Sequence, residues 1–342
     1  MGCGGSKVGN RAWWLLLLVA LAAGACKRGS GPQPDVPARP ACDASSPGTL
    51  LACVEEARWT ADLALIAGPR PPHTPHWQEV QDLCANRLKD LGYDVERFDY
   101  GTGIDVIGVQ AGTVPEQVVL SAHYDGVADC PAADDNGSGV AGVLEAARVL
   151  SFGRYERTLV VACWDDEEDG MVGSQAWTKR EQERGGTIAA GIVFEMIGFR
   201  IDAPDSQRLP PGTDVLFPDK AAWLEQRQWR GDFIAAVADT GSHEAAAALE
   251  RWAATAELPI LVVELPRLLL ATPLAEPLHR SDHAAFWRQG YPGLMLTDTA
   301  DFRNPYYHCG FGDDAAKTLD SAFAARVVRA TVGAVAELLR LR

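Results

Sequence analysis

Eight short strand-like runs constrain this chain more than any other feature. They are VERFDY (95–100), DVIGV (105–109), QVVLSA (117–122), TLVVAC (158–163), AAGIVFEMI (189–197), DFIAAVAD (232–239), ILVVELP (260–266) and YPGLMLTDT (291–299). Segments of helical spacing lie between them. Trp77, Val80, Leu83, Leu88 and Leu91 recur at that spacing, and Gly92 follows as a stop signal. VAGVLEAARVL follows Gly139, EAAAALERWAATAEL follows the candidate N-cap Ser242, and a last amphipathic stretch runs from about Ser321 to Leu341. Strands alternating with helices predict an α/β domain: a mixed, mainly parallel central sheet in a three-layer arrangement, with helices on both faces. The stretch 201–231, rich in Pro, Asp and Gln, reads as an inserted loop over that sheet. The sequence carries no internal repeat and no second domain boundary.

With 342 residues, 47% of them hydrophobic, the chain can bury a substantial core. Its formal charge of −15 argues against nucleic acid or an anionic membrane surface as partner. Residues 1–25 read as a signal peptide. Lys7 and Arg11 precede an apolar run, Ala12 to Ala25, that falls short of the roughly 20 residues needed to span a bilayer. The end of that run supports two readings. Ala23-Gly24-Ala25 suits an ordinary signal peptidase, and the same cut leaves Cys26 first, as in a lipid-anchored bacterial lipoprotein. Both imply export, and the second a membrane contact through the N-terminal anchor alone. Residues 26–48 read as a flexible linker and 49–342 as one catalytic domain. Export permits disulfides among the six cysteines beyond Cys26, and the lack of a CxxC pair argues against a cysteine-based zinc site. Cys163, ending TLVVAC, is expected to be a buried thiol.

In open α/β sheets ligands bind at the carboxyl ends of strands. Several chemically capable groups fall there: His123 in AHYDG, the Glu167–Glu168 pair in WDDEEDGMVGS, and Glu195 in VFEMIG. Asp135 in ADDNGSG and His308 in YYHCG sit in similar places. Two histidines, three carboxylates and a spare glutamate form a metal-ligand inventory, since zinc takes imidazole nitrogen and carboxylate oxygen and hydrolytic sites keep a position open for water. Asp135, Glu168 and Glu195 against two Zn²⁺ would leave one positive charge, whereas without metal the three acids would repel. In an extended loop Glu167 and Glu168 face different ways, so one can bind metal while its neighbour handles protons. Asp125, two residues past His123, is placed to orient the imidazole. Asp134, Asp165, Asp166 and Asp169 are expected to be solvated or supporting acids, and His283 structural or pocket-lining. Trp164 and Phe311 suit either a substrate pocket or the core.

The strings AHYDG, ADDNGSG, DDEEDGMVGS, FEMIG, RSDHAAFW and YYH occur in that order between about Trp77 and Leu339. Together they resemble the zinc-dependent exopeptidase family of bacterial leucyl aminopeptidases and glutamate carboxypeptidase-like enzymes. The resemblance implies a dizinc site in which His123 and Glu195 bind one ion, Glu168 and His308 the other, and Asp135 bridges. It makes Glu167 the general base and acid, and Tyr307 the group that stabilises the oxyanion. The implied reaction is hydrolysis of the N-terminal bond of a peptide substrate. Two other readings stand beside it: a glutaminyl-cyclase-like acyltransferase with one zinc, and an inactive binding ectodomain on the same fold. This chain departs from the family pattern in two places. Glu195 stands where many relatives have Asp, and CGFGDDAAKTLD after His308 is about one residue longer than usual, which leaves Asp313 and Asp314 both open as its support. Because Cys130 and Cys309 neighbour two of these ligands, a disulfide between the ligand loops is expected, with Cys42–Cys53 the other pairing to consider.

Overall fold

The structure is a computed structural model and describes residues 42–270 and 272–342. The expected signal peptide, the lipid site at Cys26 and most of the linker lie outside the described residues. The linker was expected to reach residue 48, yet helix α1 (Pro47–Leu51) begins inside it and Cys42 is joined to Cys53. A Pro-, Ser- and Asp-rich composition reads as tether, but Ser46 caps α1 and Pro47 suits its first turn.

Eight strands form one sheet: β1 (Asp94–Asp99), β2 (Ile104–Gln110), β3 (Gln117–His123), β4 (Thr158–Trp164), β5 (Ile188–Glu195), β6 (Ile234–Asp239), β7 (Ile260–Leu265) and β8 (Gly293–Thr297). Their order is β1-β2-β4-β3-β5-β8-β6-β7. The central four, β4-β3-β5-β8, run parallel, as do β6 and β7, while β2 and the β6/β8 pairing are antiparallel. The parallel register aligns His123 with Trp164 and Glu195 with Thr297. Four strand ends therefore open on one edge of the sheet, which is where the candidate ligands cluster.

The helices are α2 (Glu56–Ile66), α3 (Pro75–Asp90), α4 (Gly139–Leu150), α5 (Val172–Glu183), α6 (Thr213–Leu216), α7 (Pro218–Gln226), α8 (His243–Thr255), α9 (Arg267–Leu270), α10 (His283–Arg288) and α11 (Ser321–Leu338). Successive strand residues serve opposite faces. Val118, Leu120 and Phe194 join Leu88 of α3, Leu144 of α4, Leu249 of α8 and Val328 of α11 in the larger core. Val119, Val160 and Val193 face the other way, against Trp177 of α5 and Phe286 of α10. Both faces are covered, which is why the central strands lack polar alternation.

Two local expectations differ from what forms, and helix α5 lies where none was expected. Ser242 precedes α8 but caps nothing; it is buried, and its hydroxyl donates to Asp239 and to the Gly293 carbonyl. The stretch 201–231 is not wholly loop, since it holds α6 and α7, with Leu224 packed on Phe233 and Leu261. Helix α5 buries Trp177 and few other apolar residues, so its sequence carries little helical periodicity.

Candidate metal centre

His123 ends β3 and is fully buried. Its Nε2 lies 3.4 Å from Asp135 Oδ1, 3.5 Å from Glu195 Oε2 and 4.0 Å from Glu167 Oε2. On the far side, His308 Nε2 lies 3.1 Å from Asp135 Oδ2 and 3.2 Å from Glu168 Oε2. Asp135 thus turns one carboxylate oxygen toward each imidazole. Two overlapping groups, His123/Glu167/Glu195 and His123/Asp135/Glu168, each place their ligand atoms within 4.8 Å of one another. Every metal-ligand candidate from the sequence comes to one place, and Glu167 and Tyr307 border it.

Support comes from residues distant in sequence. Asp125 Oδ1 lies 3.3 Å from His123 Nδ1, and its two oxygens accept the backbone N–H groups of Glu167 and Glu168 at 3.2 and 3.1 Å. One carboxylate therefore orients the imidazole and shapes the glutamate loop. Ser281 donates to Glu195 Oε2 at 2.7 Å. Arg70, fully buried, donates to the carbonyls of Tyr124, Pro131, Ala132 and Asp135 and so ties the His123 and Asp135 loops together. Of the two acids left open after His308, Asp314 is the buried one, and its carboxylate holds the Asp135 loop. It accepts the N–H groups of Asp134 and Asp135, whereas Asp313 is exposed. The Cys130–Cys309 disulfide, with Cα atoms 5.7 Å apart, closes the same two loops, and Cys163 is a buried free thiol.

Arg70 and Ser281 were not singled out by sequence reasoning. Ser281 lay inside the quoted RSDHAAFW string, but Arg70 bonds only carbonyls and leaves no pattern. Asp134, Asp165 and Asp166 are buried rather than solvated: Asp134 accepts from Gly198 N and Asn304, and Asp165 accepts from Trp77 Nε1 at 2.7 Å. Only Asp169 of that group is exposed. His283 is structural, with Nε2 2.7 Å from the Leu278 carbonyl oxygen and its ring edge-on to Trp287. Trp164 is core, stacked near Trp177, while Phe311 stands in solvent.

Charge explains why these groups cohere. Burial opposes protonation of His123, yet Glu195 and Glu167 hold its pKa well above the ordinary value. Burial also opposes protonation of His308, but Asp135 and Glu168 push it up to about 10. Burial raises Glu167 and Glu168, with repulsion from neighbouring acids adding to it. The cluster demands positive charge, and buried acids at this spacing are costly without it. His123 Nε2 and Glu168 Oε1 are buried with no hydrogen-bond partner. Such orphaned donor atoms, converging with carboxylates, fit a divalent cation, which would take the place of the protons on the imidazoles.

Comparison with known proteins agrees with this chemistry. The sequence model of peptidase family M28 matches residues 105–335, from β2 into α11. The chain belongs to peptidase family M28. It is 30% identical to the uncharacterized Escherichia coli protein YfbL over 210 residues, covering 56% of this chain and 58% of that one. It is 26% identical to leucine aminopeptidase 1 of Ajellomyces dermatitidis over 261 residues, covering 71% and 58%. The M28 chain thus spans little more than half the length of these curated relatives. Its fold is shared with the LapA aminopeptidase of Legionella pneumophila (TM-score 0.64, 18% identity, 86% of this chain and 74% of that). It is also shared with BSAP, a zinc aminopeptidase from Bacillus subtilis (0.57, 14%, 84% and 96%), and with Macrostomum lignano glutaminyl cyclase (0.59, 15%, 88% and 94%).

Beside the centre of this M28 chain lies an apolar cavity of about 110 Å³. Phe233, Val237, Leu261, Val263 and Met295 line it, and Glu195, Arg280 and Tyr307 join it to the ligand cluster. The stretch 201–231, read from sequence as a covering loop, supplies Leu209, Thr213 and Phe217 to the same wall.

Proposed function

We propose that the protein is a dizinc aminopeptidase that removes an apolar residue from the N-terminus of a peptide. The observation that carries this reading is Asp135, whose two oxygens lie 3.4 Å from His123 and 3.1 Å from His308. A carboxylate placed this way suits two ions better than one, which favours peptidase chemistry over a single-zinc cyclase. In this reading His123 and Glu195 would hold one zinc, Glu168 and His308 the other, with Asp135 available to both. None of the expected ligands is lost, which speaks against an inactive ectodomain. The zinc assignment draws on the likeness to BSAP, a zinc aminopeptidase.

What bound zinc supplies is Lewis acidity toward the scissile carbonyl and toward water. The remaining work falls to the chain. Glu167, half-buried beside His123, takes the proton of the attacking water and passes it to the leaving amine. Tyr307 donates a hydrogen bond from its hydroxyl to the carbonyl oxygen as negative charge develops there. The apolar cavity takes the side chain of the residue being removed. At about 110 Å³ it is smaller than the roughly 150 Å³ cavity that holds benzene, so an aliphatic side chain of leucine or methionine size suits it. The test is hydrolysis of free and N-blocked peptides by zinc-loaded protein, with zinc counted per chain. Cleavage of leucyl and methionyl peptides only when the amine is free, at two zinc per chain, is expected. Activity confined to blocked peptides, or full activity at one zinc, would overturn it.

A further inference from the structure

The hydroxyl of Tyr307 has a partner that the family pattern did not point to. Arg280 Nη2 lies 3.2 Å from Tyr307 Oη, and Arg280 Nη1 donates to Asp301 Oδ1 at 3.0 Å. The guanidinium carbon sits 5.6 Å from the centre of the tyrosine ring, whose other contact is a stack on His308 at 3.9 Å and 20°. Arginine has five N–H donors and no acceptor. The bond therefore has one direction: Arg280 gives and Tyr307 Oη accepts. The phenolic proton must point elsewhere, and Tyr307 lines the cavity next to Glu195. Asp301 holds the guanidinium, Arg280 holds the phenol oxygen, and His308 holds the ring. The next residue, Ser281, donates to Glu195, so two adjacent residues reach both the ligand cluster and the tyrosine.

We propose that Arg280 is a positioning residue for the peptidase reaction, fixing Tyr307 with its hydroxyl proton turned into the cleft toward the developing oxyanion. This rests on the role proposed for Tyr307. A charged donor on a phenol oxygen leaves the hydroxyl one fewer orientation and supports negative charge accumulating across its hydrogen bond. Lysine at this position keeps the charge but has no planar fork, so it cannot span Asp301 and Tyr307 in the same geometry. The guanidinium is partly exposed, so its contribution is to geometry at the site and not to the fold.

The experiment compares zinc-loaded full-length protein with Arg280→Met, Arg280→Lys, Asp301→Asn, Tyr307→Phe and the double variant Arg280→Met/Tyr307→Phe on a leucyl peptide, with zinc content measured for each. Removing an oxyanion donor lowers kcat by about 10²–10³-fold, and Tyr307→Phe should fall there. Arg280→Met should lower kcat by roughly tenfold, the scale of one hydrogen bond to a charged group, with KM and zinc content nearly unchanged. Arg280→Lys should recover part of that loss, and Asp301→Asn should lower kcat by less than Arg280→Met does. In the Tyr307→Phe background Arg280→Met should cost nothing further. A full additional loss in the double variant, or a rise in KM with kcat intact, overturns the inference while leaving the peptidase reading in place. Wild-type kcat in Tyr307→Phe overturns both this inference and the role proposed for the tyrosine. If Arg280→Met fails to fold, Arg280→Lys and Asp301→Asn decide it by the same kcat and KM criteria.

Discussion

Glu167 and Glu168 are neighbours in sequence, share one organising carboxylate in Asp125, and face different partners. Glu168 Oε2 reaches His308, while Glu167 Oε2 stands 4.0 Å from His123. Substituting each by glutamine keeps size and polarity, so the two phenotypes report the two roles. Glu167→Gln is expected to keep its zinc and lose about 10²–10⁴-fold in turnover, the range for general acid–base catalysis. Glu168→Gln is expected to lose zinc first and activity with it. Metal analysis beside steady-state kinetics separates them, and a Glu167→Gln protein that releases zinc while Glu168→Gln retains it would reverse the assignment. The same scale shows how much of the site's support is contributed by single side chains. Glu195 is one methylene longer than the aspartate common at its position, and Ser281, at 2.7 Å, fixes where that extra reach ends.

At the scale of elements, the loops that carry Asp135 and His308 are joined twice, by the Cys130–Cys309 disulfide and by Asp314 on the Asp134 and Asp135 N–H groups. The cysteines are 179 residues apart in sequence, so the bond restricts the unfolded chain strongly. Replacing both with serine is expected to destabilise the protein by about 2–4 kcal/mol and to speed zinc loss into a chelator. Chelator-driven release at the wild-type rate would show that Asp314 alone suffices. In the larger core, α8 and α11 meet where a Cβ on Gly333 would lie 2.6 Å from the Trp252 ring. Glycine to alanine inside a helix ordinarily gains about 1 kcal/mol. Here the overlap with a packed indole outweighs that gain, and overpacking costs about 1–3 kcal/mol. Gly333→Ala should therefore lower the midpoint of urea unfolding without changing zinc content, and an unchanged or raised midpoint would mean that Trp252 can move aside.

For the whole molecule, a charge of −15 argues against an anionic partner, and the two disulfides suit the export expected from the sequence. Among the described residues no helix is long and apolar enough to cross a membrane. We propose a lipid on Cys26 as the attachment, from the small-residue run Ala23-Gly24-Ala25 that precedes it. The protein is expected to fractionate with membranes, and Cys26→Ser to release it. Intact protein with an unmodified Cys26 at its N-terminus would point to plain secretion.

The strand runs, their alternation with helices and the acids and histidines at strand ends could be read from the sequence, because periodicity and turn placement are local properties. All eight expected strands form, within a few residues of their sequence bounds. The candidate ligands His123, Glu168 and Glu195 were readable for a related reason: each closes a strand or follows one within a few residues. Helix α5 escaped because it buries little besides Trp177, and the N-terminal boundary because Ser46 and Pro47 look like linker until they cap a helix. What only the tertiary structure decided is who meets whom over long distances. Arg70 bonds the carbonyl of Asp135, Ser281 bonds Glu195, Asp314 bonds the amides of Asp134 and Asp135, and Arg280 bonds Tyr307. Asp134 and Asp165 look like surface acids by composition, and only packing shows that backbone and indole N–H groups hold them inside. The physical reason is the same in each case. A strand is specified by its own side chains, whereas a hydrogen bond across the fold is specified by two segments that the sequence alone does not bring together.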